Sequence, residues 1–341
     1  MNVTIHRDLG TPDSPHQAAR DAAALGEQAE QALLGHTDFH HRADTLAAHA
    51  GDEDETQLLV LLHDATAPLG FLHVFLPRRE NLSTVHVEAR LRPGRDPRPL
   101  LDALWPPFLD LCRQERRTAL TWWEHTRQDH PTLVPATGTG AVERTPLTDW
   151  LQSRGFVLDQ VEVSSTLRLP VVVGEGDVDE HYRVVTWQGS TPEHLVEGMT
   201  RLRARMSTDA PTGNRESDEA VWDAARVRRE EELATAALRD LLWAVALNTA
   251  GEPVGYTLIE CPAGQPETAY QLDTLVRAED RGHGLGLVLK QANLSQLQGR
   301  YPAVRRLHTW NAGENRWMLG INRTLGFTPT SAVGAWQRNR E

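Results

Sequence analysis

The sequence is poor in the residues that build cross-links, membrane spans and metal ribbons. It holds two cysteines, Cys112 and Cys261, too few for a disulfide framework and unable to form a Cys-x-x-Cys zinc ribbon. No apolar run nears the roughly 18 residues that span a bilayer. The opening MNVTIHRDLGTPDSPHQ lacks the charged-then-apolar layout of a signal peptide. A reducing, cytoplasmic setting is expected, without a membrane partner. Lys290 is the one lysine against abundant arginine, which reads as the coding bias of a GC-rich genome. Basic residues number 35 against 47 acidic ones, a formal charge of −12. That sign argues against a nucleic-acid partner and suits solubility or a cationic small molecule such as an amine. What is present, 40% apolar and 24% charged residues over 341 positions, describes a folded protein long enough for two domains.

The chain repeats one layout twice. A short strand (2–9, then 181–187) precedes a helical stretch (17–34, then 192–206 continuing through 217–238). A hairpin of apolar runs follows, 57–63 with 69–76 and then 241–247 with 254–259, joined by the turns DATAPLG and NTAGEPVG. Near the ends RTALTWWEH and DWLQSRGFVLDQVEV answer VRRLHTWNA and RWMLGINRTLGFTPTSAV. Gly155-Phe156 thus aligns with Gly326-Phe327, each glycine suited to a left-handed helix cap. The polar break at 174–177 puts a boundary near residue 175, giving domains 1–175 and 176–341. Residues 209–219, DAPTGNRESDE, read as a mobile loop between helices, and 136–142 as a plain break.

The chemistry is concentrated in QLDTLVRAEDRGHGLGLVLKQANL, residues 271–294. Leu272, Thr274 and Val276 alternate with Asp273 and Leu275, a strand period. Leu285, Val288, Leu289 and Ala292 then recur with a helical one. Gly282, Gly284 and Gly286 fall at the junction. Small residues at a helix start leave backbone N–H groups bare, and with the helix dipole these attract phosphate oxygens; Arg281 adds a positive charge. The run is not a triphosphate-binding loop, since no Gly-Lys-Ser/Thr follows. Leu287 and Leu289 also exclude a Gly-x-Gly-x-x-Gly dinucleotide fingerprint.

Arg281-Gly282-His283-Gly284-Leu285-Gly286 resembles the Arg/Gln-x-x-Gly-x-Gly/Ala signature of the GNAT superfamily of acyl-CoA-dependent N-acyltransferases. HTWNAGENRWMLGINRTLGF resembles that family's fifth strand and fourth helix. The resemblance covers 181–340, and the repeat is similar in layout to mycothiol synthase and related actinobacterial acetyltransferases. It implies an α/β protein of two tandem GNAT folds, each a mixed, mostly antiparallel central sheet flanked by helices. It further implies an enzyme that moves acetyl from acetyl-CoA to an amine, here of a small molecule such as an antibiotic or specialised metabolite. By the same resemblance, residues 281–286 would hold the pyrophosphate and Leu275 and Val276 the pantetheine arm. The Val276 N–H would face the thioester carbonyl, with Asn315 and, more weakly, Asn311 as amide contacts. In the first half Asp96-Pro97-Arg98-Pro99-Leu100-Leu101 replaces the signature. Proline has no N–H and Asp96 reverses the charge, so that half is expected to bind no coenzyme A and to wall the acceptor pocket.

The family's usual tyrosine acid falls near Asn322, leaving that role vacant. Glu260 and Asp273 are base candidates, with His308 and Tyr270 behind them. His36 and His40 have helical i, i+4 spacing beside His41, without a third metal ligand. Cys112 reads as core, and Cys261 has no triad around it. Trp122, Trp123 and Trp310 read as packing residues. A non-catalytic acyl-CoA-binding regulator and a protein N-acetyltransferase remain alternatives, as do monomer and homodimer.

Overall fold

The computed structural model describes residues 1–49, 52–174, 176, 178–209, 211, 213 and 218–339. Its elements run β1 (Asn2–His6), β2 (Gly10–Thr11), β3 (Ser14–Pro15), α1 (Gln17–Leu34), α2 (Ala43–Ala48), β4 (Glu55–His63), β5 (Pro68–Pro77), β6 (Thr84–Leu91) and α3 (Pro97–Gln114). There follow β7 (Ala119–Thr126), β8 (Pro131–Leu133), β9 (Val142–Glu143), α4 (Pro146–Ser153) and β10 (Val157–Arg168). The second half holds β11 (Tyr182–Gln188), α5 (Glu193–Asp209), α6 (Ala224–Ala236), β12 (Arg239–Asn248), β13 (Pro253–Pro262) and β14 (Thr268–Val276). It ends with α7 (Leu285–Arg300), β15 (Arg306–Ala312), α8 (Arg316–Leu325) and β16 (Thr328–Asn339).

The helical stretch expected over 192–238 is two helices, α5 and α6, and most of the loop expected at 209–219 lies outside the described residues, as do Glu175 and Asp177 at the expected boundary. The caps explain several helix ends. Gly326, at φ 93°, ends α8 in the left-handed region, and Gly155, at φ 81°, follows α4 in the same way, as the repeated Gly-Phe predicted. Thr145 and Thr148 form a reciprocal capping box that starts α4. No helix among the described residues is long and apolar enough to cross a membrane.

Twelve strands form one sheet in the order β1-β4-β5-β6-β7-β16-β10-β15-β14-β13-β12-β11. Neighbours are antiparallel except β6 with β7 and β14 with β15. Central strands such as β4 are buried along most of their length, because helices cover both faces of the sheet. In the first half α3 and α4 pack over one apolar cluster and α1 and α2 over another. In the second, α5 and α6 cover Trp243, Tyr256 and Leu275. There α7 covers the opposite face, over Ala244, Ala246 and Ile259.

The order is symmetric about its middle, and the two halves have exchanged their last strands. β10 belongs to the first half in sequence but lies between β15 and β16; β16 lies between β10 and β7. Each half therefore completes its sheet with a strand from the other, and a half alone would leave an open edge. Produced separately, residues 1–175 and 176–341 should each fail to give a folded monomer, whereas coproduction should give a 1:1 complex. Two independently folded monomers by circular dichroism and size exclusion would contradict the exchange.

Candidate active site

Parallel pairing between β14 and β15 covers Thr268–Arg306, Ala269–Leu307 and Tyr270–His308, then stops. Beyond it β14 continues to Val276 and β15 to Ala312, so a wedge opens between them. Val276 stands opposite Gly255 of β13, while the next residue, Arg277, donates its N–H to the Val254 carbonyl at 2.9 Å. Antiparallel ladders alternate, so the Val276 N–H and carbonyl turn away from β13 and into the wedge. The Val276 carbonyl takes a hydrogen bond from Arg281 Nε at 3.1 Å.

At the mouth of the wedge α7 begins at Gly284, which has φ 70° and no capping side chain. Gly282 has φ 92°. Both angles favour glycine, and a Cβ on either residue would stand in open space. No described residue accepts from the backbone N–H groups of residues 282–286. The result is a bare helix start beside a cavity of about 850 Å³, lined by Thr274, Val276, Gly282, Gly284, Gly286 and Asn315 among others. Arg281 meets Asp209 at 2.7 Å. His283 bonds Asp179 at 2.8 Å, and its side chain is absent from the cavity lining. Leu275 packs its side chain in the core under α5.

A second cavity, of about 450 Å³, shares Met206, Thr274, Asn315 and Met318 with the first and reaches into the wedge. Asp273 opens onto it but is already engaged: it accepts the Tyr256 hydroxyl at 3.0 Å and lies 3.4 Å from Arg203. Arg203 also pairs with Glu230. Asn315 caps α8 by accepting the Met318 N–H at 3.2 Å, and Asn311 accepts from Asn322 Nδ2 at 2.6 Å.

Glu260 does not join Asp273. It faces a third cavity, of about 350 Å³, at the seam of the two halves, with His49, Glu88, Trp123, Tyr270 and Trp310 in its wall. Trp310 lines both this space and the wedge cavity, so Trp123 and Trp310 are cavity walls, whereas Trp122 is core. Glu260 bonds Arg239 at 3.0 Å, and burial pushes its carboxyl above the usual range, with Arg239 opposing.

Tyr270 and His308 prove to be hinge residues. Asp38, from the first half, receives Arg306 Nε at 2.7 Å and Nη2 at 3.0 Å, Thr268 Oγ1 at 3.1 Å, and lies 2.9 Å from His308 Nε2. Its backbone carbonyl accepts the Tyr270 hydroxyl. Burial favours protonating Asp38, but the His308 and Arg306 hydrogen bonds prevail and hold the carboxyl well below its ordinary value. One buried carboxylate thus clamps β14 to β15 over the three pairs before the wedge opens.

The histidine spacing read as helical is not, because Gly35, at φ 79°, ends α1 first. His36 lies against Glu30 and Asp38, and His40 against the Thr37 carbonyl. Among the described residues no group of three or more His, Cys, Asp or Glu is placed to hold a metal. Cys112 is core; burial pushes the Cys261 thiol up to about 12, which leaves it unreactive near neutrality. Asp38, Arg203 and Glu230 were invisible in the sequence because their partners are distant in the chain. So was Lys290, which lies off the apolar stripe of α7 yet is 2% exposed.

No protein-family model and no curated protein matches the sequence. Solved structures do. A tandem GNAT protein from the clavulanic acid biosynthesis pathway is 22% identical, covers 99% of this chain and 98% of its own, and has a TM-score of 0.78. A GCN5-related N-acetyltransferase from Sphaerobacter thermophilus is 16% identical over 99% of this chain and 95% of its own, with a TM-score of 0.67. A GCN5-related glucosamine N-acetyltransferase region of a fungal multi-domain β-N-acetylglucosaminidase is 11% identical, covering 99% of this chain and 38% of that one, with a TM-score of 0.57. The fold is therefore two tandem GNAT folds, as the sequence resemblance implied.

Replacing Asp38 with alanine strands the half-buried Arg306 and the buried His308 at the hinge, and losing such a partly buried pair with its hydrogen bonds costs about 2 kcal/mol. Asp38→Ala should lower the midpoint of urea unfolding accordingly; a change under about 0.5 kcal/mol would show that the hinge does not depend on this clamp.

Proposed function

We propose that the chain is an acyl-CoA-dependent N-acyltransferase that moves acetyl from acetyl-CoA to the amine of a small molecule. The observation that carries this reading is the wedge itself: an inward Val276 N–H at its depth and a bare, glycine-cleared helix start at its mouth. A tandem GNAT neighbour from a biosynthetic pathway supports a specialised metabolite as acceptor, with cytoplasmic acetyl-CoA as the donor pool.

The residues fit the donor. The N–H groups of Gly282 to Gly286, reinforced by the α7 dipole, suit a pyrophosphate. Arg281 adds charge if it exchanges Asp209 for phosphate. Val276 offers backbone to the pantetheine arm, whereas Leu275 is turned by the same alternation onto Tyr256 of β13 and contributes only packing; Asn315 and Asn311 offer amides near the reacting end. The thioester supplies an activated carbonyl carbon, and no covalent enzyme intermediate is needed. The Val276 N–H is placed to stabilise the oxyanion that forms when an amine attacks. Glu260, across Trp310, is the better base of the two carboxylates, because Asp273 is spent on Arg203 and Tyr256; Asp273 positions that cluster. The seam cavity, walled by both halves, suits an enclosed small acceptor.

The first half offers no equivalent donor site. Asp96 caps α3 by accepting the Arg98 N–H at 3.1 Å, and Pro97 opens the helix. A carboxylate already occupies the place where the second half leaves bare N–H groups.

Thiol release from acetyl-CoA, followed against a panel of amines, should rise with one class of acceptor. Gly284→Ala, which adds a Cβ in the cradle at a local cost of about 1 kcal/mol, should leave the protein folded and weaken coenzyme A binding about tenfold or more. Binding without turnover for any acceptor would favour a regulatory protein; no binding would overturn the donor assignment. Because burial raises the Glu260 carboxyl, the base becomes competent only as pH rises past the ordinary glutamate range. The acidic limb of kcat/KM should therefore lie above that range and vanish in Glu260→Gln, and an unchanged limb would exclude Glu260 as base.

A further inference from the structure

The sole lysine of the chain is buried in the wall of the wedge cavity. Lys290 projects from α7, and its Nζ donates to Asn322 Oδ1 of α8 at 2.8 Å and lies 5.8 Å from the Phe327 ring centroid. Asn322 in turn donates to Asn311 Oδ1 of β15 at 2.6 Å. The chain Lys290–Asn322–Asn311 thus runs along the inner wall where β15 leaves β14.

A buried ammonium is normally neutralised by a carboxylate. Here none serves. Around this cavity α5 contributes Arg203, α6 Glu230 and β14 Asp273, and both acids pair with Arg203. β13 contributes Leu258, β15 Trp310 and Asn311, and the start of α8 Asn315 and Met318, none of them ionisable. Lys290 is left with one amide oxygen for three N–H donors, and burial pushes its ammonium down to about 7. Burying an ammonium without a carboxylate is costly, so packing alone does not account for the amine. An ammonium that gives up its proton easily, at the edge of a reaction cavity, is suited to proton transfer.

We infer that Lys290 is the proton donor to the leaving thiolate in the wedge, with Asn322 holding its Nζ in place. The inference rests on the acyl-transfer reading. The acceptor nitrogen forms the new C–N bond, and the C–S bond breaks with its electron pair going to sulfur. Lys290 then passes a proton to sulfur, releasing the thiol. The proton lost by the acceptor nitrogen, taken up at Glu260 and returned through water, restores the ammonium, so no redox partner is required.

Because the chain has one lysine, protein labelled with 15N- and 13Cε-lysine gives a single side-chain signal that needs no assignment. That signal should titrate near pH 7, about three units below an ordinary lysine, and should shift when coenzyme A or a non-reactive thioether analogue binds. Lys290→Met should lower kcat about 100-fold, leave coenzyme A affinity within about twofold by calorimetry, and abolish the alkaline limb of the rate profile. An ordinary titration near pH 10, a signal indifferent to bound coenzyme A, or an alkaline limb surviving in Lys290→Met would overturn the role of Lys290 while leaving acyl transfer standing. So would an acetyl adduct on Lys290 with acetyl-CoA alone, since that would make it a nucleophile. Failure of the unlabelled protein to bind coenzyme A would overturn both.

Discussion

Asp38 holds the place on which the site depends. It comes from the first half, yet its carboxylate engages Thr268 of β14 together with Arg306 and His308 of β15. Those residues are the short parallel ladder from which the two strands diverge. A wedge between strands needs a fixed apex, or its width would vary with every fluctuation of the unpaired segments. Here the apex is fixed by a buried charge with several directional partners, and charge-assisted bonds are the stronger kind. The exchange of β10 and β16 adds backbone pairing to the same end, since β10 flanks β15 along its whole length. In the first half the corresponding helix, α3, is capped by Asp96, yet the second half's wedge rests on that half through Asp38.

The two halves differ in a few residues at a matching helix start. Gly284 opens α7 with no side chain to cap its N–H groups. Asp96 opens α3 and satisfies the Arg98 N–H itself. Both places present a helix dipole, but Gly284 sits in the left-handed region whereas Asp96 is extended and followed by proline, and there the protein has already supplied the anion.

Features governed by local sequence were legible. The α1 stretch, the hairpins, the Gly-Phe helix ends and the strand-to-glycine-to-helix passage at 271–294 all follow from periodicity and backbone preference within a few residues. The inward aim of Val276 followed only from the family resemblance until the register of β13 and β14 was known. The strand exchange was hidden because β10 and β16 read alike and would complete either sheet. Asp38 and Arg203 acquire meaning from partners far away in the chain. The burial of Lys290 was hidden for a related reason: a helix covered on more than one side does not announce its buried positions by a single stripe. The helical spacing of His36 and His40 failed because Gly35 had already turned the chain.

Within one shared sheet we propose a division of labour: one donor site, in the second half, on a frame that both halves build. Calorimetric titration of the full chain with coenzyme A tests it most directly. The structure predicts a single site per chain, with unchanged stoichiometry when Asp96 is replaced by asparagine and loss of binding heat when Gly284 is replaced by proline. Two sites per chain, or a single site indifferent to Gly284, would contradict it.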